Sequence, residues 1–177
     1  KNFSTKKKEI KIVYIGRVSS EKNLKLLFKL IKSTRNLSLS IYGRDEEKLE
    51  ANLNNYIKNR IKFKGSILNK KISSEIKKYD LLILPSKFEP WGLVIEEAIY
   101  NGIPVISSDK VGCNQDLISK LKVGFVFKSN SLESLKECID KIKNPRNLKK
   151  INKNLSSLNY NSFKKKHINI YENIMGK

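Results

Sequence analysis

The chain has 177 residues, of which 39% are hydrophobic, and a formal net charge of +20 from 37 Lys and Arg against 17 Asp and Glu. This apolar content suffices for one compact domain, and no apolar run approaches the ~20 residues that a membrane span requires. The Lys- and Asn-rich start lacks the apolar segment of a signal peptide, and two cysteines are too few for a disulfide framework. These features argue against membrane-spanning and disulfide-rich secreted classes, and we expect a cytoplasmic domain.

Strand-like and helix-like patterns alternate along the sequence. In chain order the predicted elements are a strand at 10–15, a helix at 21–33, a strand at 37–42, a helix at 46–59, a strand at 61–63, a helix at 72–78, a strand at 81–84, a helix that opens at Gly92, a strand at 104–106, a helix near 115–121, a strand at 124–127 and a helix at 132–142. Such alternation predicts an α/β fold: a Rossmann-like domain with a parallel sheet of about six strands flanked by helices. One domain is expected over residues 1–177, with a helical tail over about 145–177.

The distinctive residues follow the predicted strands. Gly16 and Arg17 come directly after the first strand, and Glu89 follows the strand at 81–84. Ligands of parallel sheets bind beyond the carboxyl ends of the strands. The sequence therefore predicts one site at that edge of the sheet.

The most informative stretch is Glu89-Pro-Trp-Gly-Leu-Val-Ile-Glu-Glu97, which predicts a turn and then a helix opening at Gly92. Backbone N–H groups at a helix start form an anion site, with roughly half a unit of positive charge from the helix dipole. The Glu89 carboxylate in the same turn can accept hydrogen bonds from hydroxyls. Amides for phosphate beside a carboxylate for hydroxyls suit a sugar diphosphate.

Helical spacing distinguishes the two adjacent glutamates. Glu97 is predicted to project between Leu93 and Val94, inside the apolar arc of the helix, whereas Glu96 is predicted to project on the polar side as a solvated charge. A carboxylate on an apolar face is costly unless something bonds to it. Glu97 is therefore either a ligand-binding group or a structural partner of a nearby lysine or amide, and the spacing leaves both interpretations open.

Several further motifs occur in a fixed order over about residues 10–145. They are Gly16-Arg17-Val-Ser-Ser-Glu21-Lys22-Asn23, Phe63-Lys-Gly65, Asp80-Leu-Leu-Ile-Leu-Pro85-Ser86, Ser108-Asp109-Lys-Val-Gly112, Asp116-Leu-Ile118 and Gly124-Phe-Val-Phe127. Together with the eight-residue spacing of Glu89 and Glu97, they resemble the retaining glycosyltransferases of family 4 (group 1), which carry an E-x7-E signature and have the GT-B fold. Each motif is weak alone, but the set is specific.

The resemblance implies one half of a GT-B enzyme, which has two Rossmann-like domains with the reaction in the cleft between them. It covers only the C-terminal, donor-binding domain, so we expect an excised or truncated half that lacks the acceptor domain and is inactive alone. The implied activity is transfer of a hexosyl-type sugar from a nucleotide-sugar to a glycan or lipid-linked acceptor. No metal or other cofactor is expected, since the family does not depend on a bound metal and no Asp-x-Asp pair is present.

The resemblance also implies roles for individual residues. Arg17, Lys22 and Glu89 would be catalytic: the two cations would pair with the diphosphate and stabilise the departing nucleoside diphosphate, and Glu89 would bind hydroxyls of the donor sugar. Glu97 would bind the ribose hydroxyls. Amides near the two turns would hold phosphate and sugar, and these are contributed by Gly16, Trp91, Gly92 and Leu93.

The net charge of +20 requires a separate interpretation. The basic residues are mainly Lys, spread along the chain without interleaved aromatic platforms, so no nucleic-acid partner is expected. A peripheral attraction to an anionic membrane surface, at the inner face of the membrane, fits better than nucleic acid, at about 1 kcal/mol per surface-proximal Lys or Arg. The spread of the lysines fits a general compositional bias as well as it fits a binding patch. Two other functions remain as alternatives: another GT-B enzyme of the epimerase or phosphorylase-like type, and a non-catalytic basic nucleotide-binding module.

Overall fold

The computed structural model describes residues 9–158, which form a sheet of six strands. The strands are Ile10–Ile15 (β1), Leu37–Tyr42 (β2), Ile61–Phe63 (β3), Leu81–Leu84 (β4), Val105–Ser108 (β5) and Gly124–Phe127 (β6). They lie in the order β3-β2-β1-β4-β5-β6, and every pairing between neighbours is parallel. The predicted Rossmann-like α/β fold with six parallel strands is confirmed.

Helices connect the strands and cover most of the sheet. Within residues 9–158 the α-helices are Leu24–Ser33 (α1), Asn55–Lys58 (α2), Asn69–Ile76 (α3), Leu93–Tyr100 (α4), Leu132–Lys143 (α5) and Pro145–Ser157 (α6). A 3-10 turn at Ser20–Lys22 precedes α1, and a π-helical segment at Asn114–Ser119 precedes β6. None of the helices in this described part of the chain is long and apolar enough to cross a bilayer.

The core lies on both faces of the central strands. Every residue of β4 and β5 is buried, and β1 exposes only Lys11. Central strands of a parallel sheet are buried on both faces, which explains why β4 is a continuous apolar run rather than an alternating one. The buried stripes of α1 and α5 add to the same cluster.

The predicted helix at 46–59 is wrong. The chain passes through turns and only one helical turn, α2, forms at the end of this segment. Side chains compete for the backbone here: Asp45 accepts from the Glu50 amide at 2.9 Å, and Asn54 accepts from the Tyr56 amide at 2.8 Å. The Asp45 bond holds a turn, whereas Asn54 caps the start of α2, so a helix begins only there. Leu49 is nevertheless buried. The apolar spacing therefore predicted which side chain is buried, but not the backbone conformation.

The other predicted elements are present with adjusted ends. Asn23, with φ of 56°, interrupts the predicted helix at 21–33, so that α1 begins at Leu24. The segment near 115–121 is the π-helical one rather than an α-helix. In the predicted tail over 145–177, α6 is helical, and the residues after 158 lie outside the described part.

Substituting Gly43 with Ala is expected to destabilise the fold by roughly 1–3 kcal/mol or more. Gly43 follows β2 with φ of 145°, and a Cβ there would lie 1.9 Å from the carbonyl oxygen of Gly16, the first residue after β1. Backbone cannot yield as a flexible side chain does. Gly102→Ala is the matched control, because Gly102 has φ of 73° but no heavy atom within 4 Å of an added Cβ. Denaturant unfolding measures both, and equal losses would contradict the close approach of the two loops.

Candidate functional site

The strand order reverses between β1 and β4, and this reversal creates a crevice. From β1 the crossovers lead outward to β2 and β3, whereas from β4 they lead to β5 and β6. The loops after the two central strands therefore lead the chain in opposite directions, and the crevice at this point is where ligands of open α/β sheets bind. Those loops are residues 16–23 and 85–92, which carry most of the predicted site residues.

The two loops are joined by direct bonds. Lys22 Nζ lies 2.9 Å from Glu89 Oε2, with only 13% and 19% of the two side chains exposed. The Lys87 amide donates to the Glu21 carbonyl at 2.6 Å, and Asn23 Nδ2 donates to the Pro85 carbonyl at 3.3 Å. The structure thus brings together two residues with predicted catalytic roles, Lys22 and Glu89, as a largely buried ion pair.

Arg17 lies at the rim of the crevice. Its guanidinium is 3.6 Å from Glu21 Oε1, and both side chains are well exposed, so this pair holds it only weakly. Its backbone is held more firmly, because the buried Tyr14 hydroxyl donates to the Arg17 carbonyl at 2.6 Å. The Gly16 N–H also donates a hydrogen bond to the Tyr42 carbonyl at 2.9 Å. The turn is fixed while the Arg17 side chain can move toward a ligand.

The amino end of α4 opens into the same region. Gly92 is the residue before the helix, with φ of 98°, and no side chain within residues 9–158 caps it. The first amides of an α-helix have no intrahelical acceptor, so those of Leu93 and Val94 are available to an anion. Leu93 itself is 68% exposed. An added Cβ at Gly92 would lie 3.0 Å from Val111, so the backbone runs close to the neighbouring loop.

The predicted orientation of the two glutamates in α4 is wrong for Glu96. This side chain is 9% exposed and lies with Ile95, Ala98 and Ile99 on the buried side of α4. Its Oε1 accepts a hydrogen bond from Trp91 Nε1 at 2.5 Å. The expectation of a solvated charge fails because Glu96 accepts from the indole N–H of Trp91, which precedes α4, and because a helix start favours a carboxylate.

Glu97 is half-buried on the side of α4 that Leu93 also occupies, one turn earlier. That side is the open one, not the buried apolar arc that the spacing predicted. Within residues 9–158 no side chain donates a hydrogen bond to the Glu97 carboxylate, so the interpretation as a structural partner finds no support there. Burial raises the pKa of Glu97, and the neighbouring Glu96 raises it further. The carboxylate is thus desolvated and available to a ligand.

A third loop, after β5, closes behind the Glu89–Gly92 turn. The Glu89 amide donates to the Lys110 carbonyl at 3.1 Å, and the Gly112 amide donates back to the Glu89 carbonyl at 3.0 Å. The Cys113 amide donates to the Trp91 carbonyl at 3.1 Å. A Cβ on Gly112 would lie 1.9 Å from the Pro90 carbonyl oxygen, so this position has no space for a side chain. The turn is therefore held rigidly at its backbone.

Three residues that support the site were not assigned roles from the sequence. Tyr14 fixes the Arg17 turn, Asn23 ties the first loop to Pro85 and to Asn130, and Glu96 holds Trp91. Asn23 alone had a recognisable signal, because Asn tolerates the left-handed backbone that ends the turn before α1. The described residues contain no group of three His, Cys, Asp or Glu side chains that could hold a metal ion.

Comparison with known proteins finds similarity both in sequence and in structure. The family model described as glycosyl transferases group 1 matches residues 1–160. The sulfoquinovosyl transferase SQD2 of Arabidopsis thaliana is 26% identical over 140 residues, which cover 75% of this chain and 26% of that protein. The match therefore spans three quarters of this chain but only about a quarter of the relative.

Two solved structures share the fold. Sucrose-phosphate synthase from Thermosynechococcus elongatus superposes with a TM-score of 0.74 at 22% identity, covering 95% of this chain and 46% of that one. Anabaena HepE, solved in complex with UDP-glucose, gives a TM-score of 0.71 at 22% identity, covering 83% of this chain and 43% of that one. At such identities the likeness shows the fold alone. The chain spans less than half the length of each of these proteins.

Proposed function

Because the chain belongs to the glycosyl transferases of group 1, we propose that it is the donor-binding domain of a retaining, hexosyltransferase-type enzyme of family 4. The observation that carries this proposal is the Lys22–Glu89 ion pair, 2.9 Å long, a few residues ahead of the open amino end of α4. A cation, a carboxylate and unpaired helix amides lie where the strand order reverses. The cation and the amides suit the phosphates of a nucleotide-sugar, and the carboxylate suits its hydroxyl groups.

The diphosphate is assigned to the cationic side of the crevice. Lys22 and Arg17 offer charge, and the amides of Leu93 and Val94 offer directed hydrogen bonds. In the free protein Glu89 balances the charge of Lys22, so a bound diphosphate would share the ammonium with it. Positive charge fixed in this position also stabilises a departing nucleoside diphosphate as the glycosidic bond breaks.

The hydroxyl groups of the ligand are assigned to the two carboxylates. Glu97 lies on the open side of α4, one turn beyond Leu93, where it can accept from both ribose hydroxyls. Glu89 can accept from the donor sugar while its other oxygen keeps Lys22. Gly16, Trp91 and Gly92 contribute backbone at the two turns, and the 40% exposed Trp91 ring forms part of the wall.

The remaining parts of the proposal concern the acceptor, the ligand class and the location of the enzyme. The acceptor, a glycan or a lipid-linked acceptor, would bind to a second domain, and the solved relatives, of which this chain covers less than half, are long enough to contain one. HepE, with UDP-glucose in its structure, supports a nucleotide-sugar as the ligand class.

No metal is invoked in the reaction. A cytoplasmic enzyme held peripherally at an anionic membrane would fit the charge of +20.

Calorimetry with a panel of nucleoside diphosphates and a short DNA duplex tests the proposal. We expect saturable binding of one diphosphate in preference to the others, weakened in Arg17→Ala, and weak DNA binding that disappears at physiological salt. The control is Arg35→Ala, which removes the same charge from an exposed position outside the crevice. Equal affinity for all the diphosphates and for DNA would support the basic-module alternative and overturn the proposal.

The chain by itself is expected to bind the nucleotide-sugar without transferring the sugar. Half of the cleft that positions the acceptor and excludes water would be missing. The measurement is a transfer assay with the nucleotide-sugar that calorimetry selects, at protein concentrations well above Kd. Transfer that scales with the amount of this chain, and that Glu89→Gln abolishes, would show that a second domain is unnecessary.

A further inference from the structure

A second concave surface is lined by residues at the start of β1, along β2 and β3, and just before β4. It is a groove of about 370 Å³, within the range of small-molecule sites. Its lining includes Lys11, Arg60, Lys62 and Lys64, with the hydroxyls of Ser38 and Ser40 and one carboxylate, Glu9. None of the residues proposed for nucleotide-sugar binding lines it.

The groove exists because part of one sheet face is polar. Lys11 pairs in register with Ser38, and Ser40 pairs with Lys62, so these four side chains stand on the same face. The alternate residues, such as Ile12 and Leu39, point to the opposite face and are buried. Parallel sheets normally have both faces covered by helices. Here the polar half of the face is open.

Most cations of the groove have no acidic partner among the described residues; the exception is Lys78, which also lines the groove and whose ammonium lies 2.5 Å from Glu75 Oε1. Within residues 9–158, Lys11, Lys62 and Lys64 form no ion pair, and the Ser38 and Ser40 hydroxyls form no hydrogen bond. Lysines on an edge strand often serve to prevent strand pairing, and β3 is such an edge. That explanation cannot apply to Lys11, because β1 lies between β2 and β4 in the interior of the sheet.

We propose that this groove binds a small, soluble compound with more than one phosphate group. Ammonium groups and hydroxyls are donors suited to phosphate oxygens. Ser38 and Ser40 are two residues apart on β2 and lie on the same face of the sheet, with about 7 Å between the two positions. The groove therefore offers two hydroxyl donors side by side along one strand. A concave site of this size encloses a compact polyanion better than it contacts a flat membrane.

Inorganic tripolyphosphate is the probe, added to the isotope-labelled full chain at physiological salt. Two-dimensional amide spectra distinguish binding in the groove from binding in the nucleotide crevice, because different residues line the two sites. We expect saturable shifts of the amides at 38–40 and 60–64. Shifts confined to residues 16–22 and 92–94, or scattered over the whole chain, would overturn the proposal even if nucleotide binding is confirmed.

Matched variants separate a built site from general attraction to a basic protein. Lys11→Gln with Lys62→Gln is expected to weaken tripolyphosphate binding at least tenfold, whereas Lys29→Gln with Lys149→Gln, two exposed helix lysines, should change it less than twofold. Ser38→Ala with Ser40→Ala, which alters no charge, is expected to weaken it several-fold. Equal losses from both lysine pairs would contradict the proposal. So would phosphatidylserine vesicle binding that depends on the groove lysines while tripolyphosphate causes no local shifts.

Discussion

Replacing Lys22 with Ala is expected to weaken binding of a nucleoside diphosphate by roughly 2–3 kcal/mol, about 30- to 150-fold in Kd. The free nucleoside should bind almost unchanged, since it carries no phosphate charge. The effect is large because Lys22 is only 13% exposed and pairs with Glu89 at 2.9 Å. Its loss removes a cation and also leaves a poorly solvated carboxylate facing the phosphates.

These two contributions can be separated with Glu89. Glu89→Gln removes the negative charge, so Lys22→Ala combined with Glu89→Gln should bind diphosphate more tightly than Lys22→Ala alone. The difference measures the repulsion by the unpaired carboxylate. Unfolding of each variant must be measured as well, because breaking a largely buried pair also costs stability. Parallel losses for nucleoside and diphosphate would mean that the pair supports the fold and does not bind phosphate.

Arg17 should behave differently from Lys22 because its side chain is largely exposed and only weakly paired. Arg17→Ala is expected to reduce diphosphate affinity without a measurable effect on stability. Arg17→Lys should restore only part of the affinity, since an ammonium does not reproduce the planar fork of a guanidinium. The contrast between a buried and an exposed cation at one site follows from the structure, not from their shared motif.

The fold could be predicted from the sequence because parallel strands leave a strong pattern. The run Leu81–Leu84 is apolar at every position, and the structure buries every position of β4. The helix predicted at 46–59 failed for a local reason. The Asp45 side chain bonds to the Glu50 amide and holds a turn, and Asn54 caps a new helix start at α2, while the apolar spacing stays the same. Periodicity reports which side chains are buried, and several backbone conformations can bury the same ones.

The site could be predicted only to the level of its loops. Parallel topology alone places the loops after β1 and β4 side by side, so the proximity of their motifs was foreseeable. The pairing of Lys22 with Glu89, 67 positions apart, depends on side-chain positions that no local pattern encodes. The burial of Glu96 was missed for the same reason, because it depends on where the Trp91 ring lies.

Substituting Glu97 with Ala is expected to weaken nucleotide binding by about 1.5–3 kcal/mol, roughly ten- to 150-fold, through loss of charge-assisted bonds to the ribose. Unlike Lys22→Ala, this change should weaken nucleoside and diphosphate binding alike, because both ligands contain the ribose. A 2′,3′-dideoxynucleoside diphosphate should bind the parent and Glu97→Ala with similar affinity. If the dideoxy ligand distinguishes the two proteins as strongly as the natural ligand does, Glu97 does not bind the ribose.

Removing the Glu96 side chain is expected to affect binding and stability, whereas removing a solvated charge would affect neither. Glu96→Ala should also impair binding, by releasing the Trp91 ring and the turn before α4, and should cost stability. Glu96→Gln should retain most of both, because its amide oxygen can still accept from Trp91 Nε1. Trp91→Phe should resemble Glu96→Ala, and combining the two should add little. Full additivity would show that the 2.5 Å bond does not couple them.

The pH dependence of nucleoside binding tests the electrostatic link between the two glutamates. Burial raises the pKa of Glu97, with a further contribution from the charge of Glu96, so its protonated form appears at higher pH than for an ordinary glutamate. Affinity should therefore decline as pH falls through this raised pKa, while the folded state gains stability from protonation over the same range. In Glu96→Gln the decline should move to lower pH, because the neighbouring negative charge is gone. Glu97→Gln should lose this dependence, and a nucleoside avoids titration of the phosphate itself. A decline that is the same in the parent and in Glu97→Gln would assign the titration to another group and remove Glu97 from the ribose site.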